Sequence, residues 1–321
     1  MLGRAFWRCF RAWCLALTPA NIRGRARTAN YLPGNGERYR VAVGWRRIDR
    51  IMAKGTKIEW ADDTVNAEMG CDGCELWDPK HNVRTCYAGL QTQRMLSRGP
   101  LKGWPPAFDE PKIFPGRIAA AARWKDLTGT PRENKPWLDG RPRTIFVNDM
   151  GDTFTASLPD DWLAPELPIM AAAPHNWILL TKRADRQREF SLRHTLPPNV
   201  WAGVSITSPQ DQRLRYLMQT RASVRWVSYE PMLAPVDWRP WLSGNGRVGV
   251  DWIIVGGASG PDFQKQMMDL AWLADTVKQC RDANVPLFVK QDSGRNPGQQ
   301  GRIPDELWVR QLPRIIGADQ S

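Results

Sequence analysis

Cys71, Cys74 and Cys86 fall within sixteen residues, in the run Met69-Gly-Cys71-Asp-Gly-Cys74, eleven intervening residues, then Cys86-Tyr87-Ala88-Gly89. A Cys-x-x-Cys pair on a glycine-containing turn lets two thiolates grip one metal centre, and a third cysteine at the start of a helix closes a three-sulfur site. Three soft ligands suit zinc or an iron–sulfur cluster and suit magnesium or calcium poorly. His81 lies between the second and third cysteines. With it, the pattern also reads as a four-ligand tetrahedral zinc site with no open position.

A second set of polar residues recurs just past short apolar runs. Thr144–Val147 is followed by Asn148, Asp149 and Asp152, and Trp177–Leu180 by Thr181, Lys182 and Arg183. Val200–Val204 leads into Ser205, and Val224–Val227 into Ser228, Tyr229 and Glu230. Trp252–Val255 leads into Gly256 and Gly257, and Leu287–Val289 into Lys290, Gln291 and Asp292. In parallel α/β folds, ligands bind where strands end. Turn chemistry alone explains Gly and Asp at such places but explains Lys182, Glu230 and Lys290 less well. The Gly256-Gly257 pair would admit a phosphate or carboxylate to backbone amides, though tight turns use the same residues. The full Gly-x-Gly-x-x-Gly spacing of a dinucleotide fingerprint is absent at Gly256-Gly257, no phosphate-binding Walker loop is present, and three histidines leave little for a His-based triad. His175, after Pro174, is expected as a solvated turn residue.

The elements that must carry these residues follow from periodicity. Near-continuous apolar, β-branched runs separated by helix-length gaps indicate a parallel sheet covered on both faces. One crossover helix is explicit: Leu270, Leu273, Val277 and Cys280 keep one face, which assigns Cys280 to the core, and Asn284 is its expected C-cap. Lys57–Trp60 is expected as the first strand, and Ala88–Leu96 as a helix. Residues 98–142 hold eight prolines, which excludes continuous regular structure apart from one helix over Arg117–Leu127; an excursion packed across the surface, over a site, is expected. The tryptophans at 60, 177, 201, 226 and 252 sit in or beside strands and are expected to fill the core. An α/β barrel, a partial barrel and a doubly wound sheet all satisfy this pattern.

Charge adds an exclusion. The net charge of +12 resides mainly in residues 1–51, which hold eleven Arg against Glu37 and Asp49. The remainder is close to balance, so overall basicity is no argument for a nucleic-acid groove. Arg8 and Arg11 interrupt any secretory apolar core, and Met52 reads as a second start. Residues 1–51 are therefore expected as a disordered leader or an over-extended start, and 313–321 as a tail. No apolar run approaches the length of a membrane span, and six cysteines grouped three, two and one do not form a disulfide framework. A cytoplasmic protein with reduced thiols and no membrane partner is expected.

Several stretches together resemble a family of phage-associated bacterial proteins of unassigned activity that is similar to radical S-adenosylmethionine (SAM) enzymes. They are Ile58-Glu-Trp60, Gly70-Cys71, Cys86-Tyr87-Ala88, Ile145 to Phe154, Leu180-Thr-Lys-Arg183, Val200 to Ser205, Glu230-Pro-x-Leu233, Pro235-Val-Asp237, Asp251 to Gly257, Ser259-Gly260 and Val289-Lys-Gln291. The likeness is co-linear from Lys57 to Leu312, making 52–312 one domain. It implies a partial TIM-like (β/α) barrel of the radical SAM type, with Cys71, Cys74 and Cys86 holding a [4Fe–4S] cluster and one iron left open for SAM. It further implies that Asn148, Asp149 and Asp152 contact the methionyl amine. Thr181, Ser205, Gly256 and Gly257 complete the cofactor-facing set. Lys182, Glu230 and Lys290 become candidates for the SAM carboxylate, its ribose or the substrate. The substrate stays unknown; a nucleic acid and a partner protein encoded nearby are the expectations it brings. The chain departs from the usual Cys-x3-Cys-x2-Cys spacing, so Glu75–Thr85 is an insertion. The competing reading is a zinc-stabilised binding module, for nucleic acid or protein, held by Cys71, Cys74, His81 and Cys86 and without catalysis.

Overall fold

In chain order, the computed structural model, which describes residues 55–244 and 247–313, contains β1 (Asp63–Val65), β2 (Glu68–Met69), β3 (Trp77–Asp78), β4 (Val83–Arg84) and α1 (Tyr87–Leu96). These are followed by β5 (Lys112–Ile113), α2 (Arg117–Ala121), β6 (Arg143–Val147), α3 (Leu167–Ala172), β7 (His175–Thr181), α4 (Ala184–Arg193) and β8 (Val200–Ile206). The chain continues through α5 (Asp211–Gln219), β9 (Arg225–Tyr229), β10 (Trp252–Gly256), α6 (Leu270–Asp282) and β11 (Leu287–Gln291). The expectations for residues 1–51 and for the tail after Pro313 lie outside the described residues.

Seven strands form one parallel sheet in the order β1-β6-β7-β8-β9-β10-β11. Each strand lies beside its predecessor in that series, so the winding never reverses. Right-handed crossovers then put α2 to α6 on the same face, while α1 packs with the cysteine loop. A doubly wound sheet would need a reversal, and none occurs. The sheet curls as a half-barrel, with β1 and β11 at its edges.

The two faces of the sheet are filled differently. On the helix side, Ile145, Val147, Leu179, Ala202 and Val200 pack with Met170 and Phe190. Val227, Ile253, Val255 and Val289 pack there with Leu214, Leu217, Leu273, Val277 and the buried Cys280. On the other side, Phe146, Ile178, Trp201, Trp226, Trp252, Ile254 and Phe288 form one cluster with Trp60. Trp226 lies so close over Gly203 that a Cβ there would overlap its ring, and its Nε1 donates to Leu179 O at 3.1 Å. Because side chains alternate along a strand, the next positions on this same face are Asn148, Lys182, Ser205, Ser228, Glu230, Gly256 and Lys290. The concave face is thus aromatic along the sheet and polar at its C-terminal edge.

Three expectations are corrected. The first strand is Asp63–Val65, and residues 57–60 are not extended. The carbonyls of Thr56, Ile58 and Ala61 instead turn onto the Lys135 ammonium at 2.8, 2.8 and 2.5 Å, which curls that segment around one cation. The helix expected over 117–127 stops at Ala121. His175 is the first residue of β7, paired with Arg143, and is only 1% exposed. The ladder begins two residues before the apolar run does and carries the histidine inside, edge-on to Trp177. Burial lowers its pKa.

The Pro-rich excursion 98–142 carries only β5, α2 and one helical turn at Pro136–Leu138. It buttresses the cysteine loop. Phe108 O accepts from Cys71 N at 2.7 Å, and the buried Arg117 guanidinium donates to Asn66 O and Gly103 O at 2.6 Å each.

Candidate functional site

The cysteine loop leaves the C-terminal end of β1 and returns into α1. Gly70 has φ +100, and a Cβ there would come within 2.7 Å of Pro111 Cα, so the tight approach to the excursion requires glycine. Cys71 follows it into a small core with Met69, Trp77, Ala88, Phe108 and Met150. Cys74 closes a turn with Trp77 through two backbone hydrogen bonds of 3.0 and 2.9 Å, and Leu76 N donates to Cys74 Sγ at 3.4 Å. Cys86 is the residue before α1, and its N donates to Leu76 O at 2.8 Å.

The inserted residues between them fold as a small hairpin of β3 and β4. Asp78 Oδ1 caps its turn at Lys80 N and His81 N, and Asn82 takes the left-handed conformation with φ 60. Trp77 anchors the hairpin: its ring lies against Gly89, where any Cβ would collide, and meets Phe108 edge-on at 5.1 Å.

Charged side chains hold this loop on the barrel edge. Arg183, just past β7, donates from Nη1 to Cys71 Sγ at 3.5 Å and from Nη2 to Gly73 O at 3.0 Å. It lies 3.4 Å from Asp152 and 3.8 Å from Asp72. Asp72 accepts from Thr155 Oγ1 and Ser157 N, both at 2.9 Å. Glu75 takes a bidentate grip from Arg213 of α5 at 2.8 and 2.9 Å. Burial pushes the Cys71 thiol up to about 11, with Asp152 adding to the effect and Arg183 opposing it. Burial also raises Cys86, while the Gly89 amide at the helix start and Lys182 oppose it and Cys74 adds to it. Cys74 and Cys86 therefore lie within electrostatic reach of one another, whereas Cys71 sits on Arg183. Among the described residues, no group of three or more His, Cys, Asp or Glu side chains is assembled around one metal position. His81 is exposed at the hairpin turn, its Nδ1 2.5 Å from Asp78 Oδ2.

The polar rim divides into residues consumed by the fold and residues facing the mouth. Asn148, at φ 63, accepts from Glu68 N at 2.9 Å and donates to Thr153 Oγ1 at 3.0 Å. Asp149 accepts from Asn66 Nδ2 at 2.7 Å, and burial raises its pKa. Asp152 accepts from Thr181 Oγ1, Phe154 N and Lys182 N at 2.6, 3.0 and 3.0 Å. Asn148, Asp149, Asp152 and Thr181 thus brace the loop after β6 against β7. Ser205 is buried, and Lys182 is half-buried within the electrostatic reach of Glu75 and Cys86.

Glu230 and Lys290 meet at 2.9 Å, although β9 and β11 are not neighbours. The strand between them ends in Gly256, where a Cβ would lie 2.9 Å from Glu230 Oε1, so the missing side chain opens the path. Ser228 Oγ donates to Glu230 Oε2 at 3.2 Å. Burial works against the Lys290 charge, but Glu230 outweighs it and holds the ammonium above its ordinary range. The space beside Gly257 is filled by Ser293.

Sequence reasoning missed three participants. Tyr87 stands 67% exposed beside Cys86, within electrostatic reach of Asp149 and Lys290. Arg183 was visible only as the neighbour of Lys182. Glu68 is wholly buried with neither carboxylate oxygen hydrogen-bonded; burial, then Asp152, raises its pKa well above the ordinary value. Its only signal was an acid inside the otherwise apolar run Ala67-Glu-Met69.

A cleft of about 540 Å³ lies at the opposite end, among Val224, Asp251, Pro286 and Cys280, and none of the candidate site residues lines it. No helix of the described residues is long and apolar enough to cross a membrane. The family model described as a protein of unknown function, DUF5131, matches residues 55–313. No curated protein and no solved structure matches the chain.

Proposed function

The chain belongs to the DUF5131 family, and for this member we propose a radical-SAM-type activity in which Cys71, Cys74 and Cys86 hold a [4Fe–4S] cluster at the C-terminal edge of the half-barrel. What carries the reading is the donor set and its surroundings. Three thiols occupy the loop after the first strand, and two cations attend them: Arg183 on Cys71 and Lys182 near Cys86. Soft donors with nearby positive charge fit an anionic thiolate cluster in kind and in number, with three sulfurs for four irons. Bound there, the cluster would supply reductive cleavage of SAM to a 5′-deoxyadenosyl radical.

The chain's own residues have separable tasks in this reading. Arg183 holds Cys71 and Gly73 together and offsets thiolate charge. Lys182 offers a cation to a carboxylate, since its own backbone N–H is the part occupied by Asp152. Lys290 Nζ, kept protonated by Glu230, offers donors at the mouth, while Ser205 and Ser228 line the same face. Asn148, Asp149 and Asp152 act by bracing the loop, because their side-chain atoms are engaged within the protein. Phage association, cytoplasmic residence and a partner protein encoded nearby belong to the same proposal. A pull-down that recovers no stoichiometric neighbour counts against the last of these.

The test is anaerobic purification of the full chain with iron, sulfide and zinc analysis. About four irons with matching sulfide, and a broad band near ~400 nm that Cys86→Ala abolishes, is the expected result. One zinc, no sulfide and unfolding on chelation would overturn it in favour of a closed structural site.

A further inference from the structure

The near-neutral balance of the chain beyond residue 51 conceals one strongly one-sided stretch. Residues 79–108 contain Lys80, Arg84, Arg94, Arg98 and Lys102 and not a single Asp or Glu. All five cations are exposed, and none makes an ion pair or side-chain hydrogen bond among the described residues. Arginines at the cysteine loop behave otherwise, as Arg183 and Arg213 each hold a carboxylate. Of the acids bordering the stretch, Asp78 is occupied by His81, and Asp109 and Glu110 begin only after Phe108. The fold runs this stretch along the hairpin, through α1 and into the turns that follow it, where Arg98 and Lys102 lie; the buried face of α1 is Ala88, Gly89 and Thr92. The opposite face therefore presents Tyr87, Leu90 and Arg94 to solvent, with Tyr87 and Leu90 67% and 47% exposed. Tyr87 ties this surface to the cysteine loop, because it opens α1 directly after Cys86.

Unpaired cations spaced along a surface, with an open aromatic ring at one end, match a flexible polyphosphate that also carries stacking bases. We propose that the hairpin and α1 form a docking surface for single-stranded nucleic acid, leading one base over Tyr87 into the polar mouth of the half-barrel. Phosphates would take the place of the missing carboxylates, releasing counterions, and the ring offers a sequence-tolerant platform. A single strand suits this geometry better than a duplex, whose stacked bases cannot reach a concave site. This names a substrate class for the site proposed above and rests on that reading only for the chemistry after binding.

The experiment is fluorescence anisotropy of a labelled 20-nucleotide single-stranded DNA with the full chain, from 50 to 200 mM salt. Because residues 1–51 also attract polyanions, the comparison is between full-chain variants. The triple variant Arg84→Gln/Arg94→Gln/Arg98→Gln is expected to weaken binding at 50 mM salt at least ~10-fold and to flatten the log–log salt slope by about 2, at roughly 0.7 per phosphate. Tyr87→Ala is expected to weaken binding at least ~5-fold with the slope unchanged, since stacking is not ionic. An equal-charge control, Arg221→Gln/Arg281→Gln/Arg295→Gln, should leave binding within about twofold. Equal losses in the two triple variants would overturn the proposal by showing that bulk charge suffices. So would a first triple variant that binds DNA normally yet no longer binds phosphatidylserine vesicles, which would assign the surface to a membrane. Iron content is read separately, so a protein that binds DNA but never loads iron sinks the cluster reading alone.

Discussion

Asp152→Asn changes one oxygen to an amide nitrogen and should loosen the loop that carries Cys71. The carboxylate is 9% exposed and takes four donors: Thr181 Oγ1 and Phe154 N on Oδ1, Lys182 N and the Arg183 guanidinium on Oδ2. Asparagine keeps one acceptor atom. Whichever way the amide is turned, its NH2 faces at least one backbone N–H that then has no partner, at about 1–3 kcal/mol. The charge opposite the largely buried Arg183 is lost as well. Breaking one member of such a pair brings the expected cost to about 3–5 kcal/mol. That is a large part of the ~5–15 kcal/mol typical of a folded domain, but the variant should remain folded. Urea unfolding followed by tryptophan fluorescence reads the loss. With an m-value of about 1–3 kcal/mol/M, the midpoint should fall by at least ~1 M. The double variant Asp152→Asn/Arg183→Met should cost less than the two single variants together, with a coupling of about 0.5–3 kcal/mol. A loss below about 1 kcal/mol, or strict additivity, would refute the view that these residues act as one brace.

Glu68→Gln should stabilise the protein, and increasingly so as pH rises. The folded-state pKa is raised, so wild-type stability is greatest below the unfolded value of about 4.3 and falls as pH climbs toward the folded pKa, by about 1.36 kcal/mol per unit of elevation. A glutamine has no proton to lose, and a stability difference that is the same at pH 4 and pH 8 would contradict the assignment. Gly256→Ala should cost about 1–3 kcal/mol by driving a methyl group toward Glu230. It should also speed acylation of Lys290 at pH 9, measured by mass spectrometry, because the ammonium loses the partner that holds it charged; an unchanged rate would count against the pair. Trp77→Ala should cost about 3–5 kcal/mol and expose Cys74 and Cys86 to faster alkylation. Unaltered alkylation would mean that the hairpin does not depend on its indole anchor.

Local pattern was enough for much of the architecture. Every apolar run from Thr144 onward became a parallel strand within two residues of its expected limits, because continuous burial needs continuous apolar sequence whatever the neighbours are. Cys280 went to the core by helical period alone. The rim of polar residues at strand ends was likewise legible, as was the three-cysteine window on the loop after the first strand. Long-range pairing decided the rest. Strand order, not strand content, distinguishes the half-barrel from a doubly wound sheet, and nothing in a strand's own residues names its neighbour. Lys135, more than seventy residues away, curls the segment that local propensity reads as the first strand. Asn148 and Asp152 look like open ligand groups in the sequence, yet partners across β2 and β7 engage them. Glu230 and Lys290 are sixty residues apart and meet only because the strand between them ends in glycine. Periodicity reports which side of an element is buried. What each buried polar group touches depends on register and on chain segments far away, and only the folded molecule brings those together.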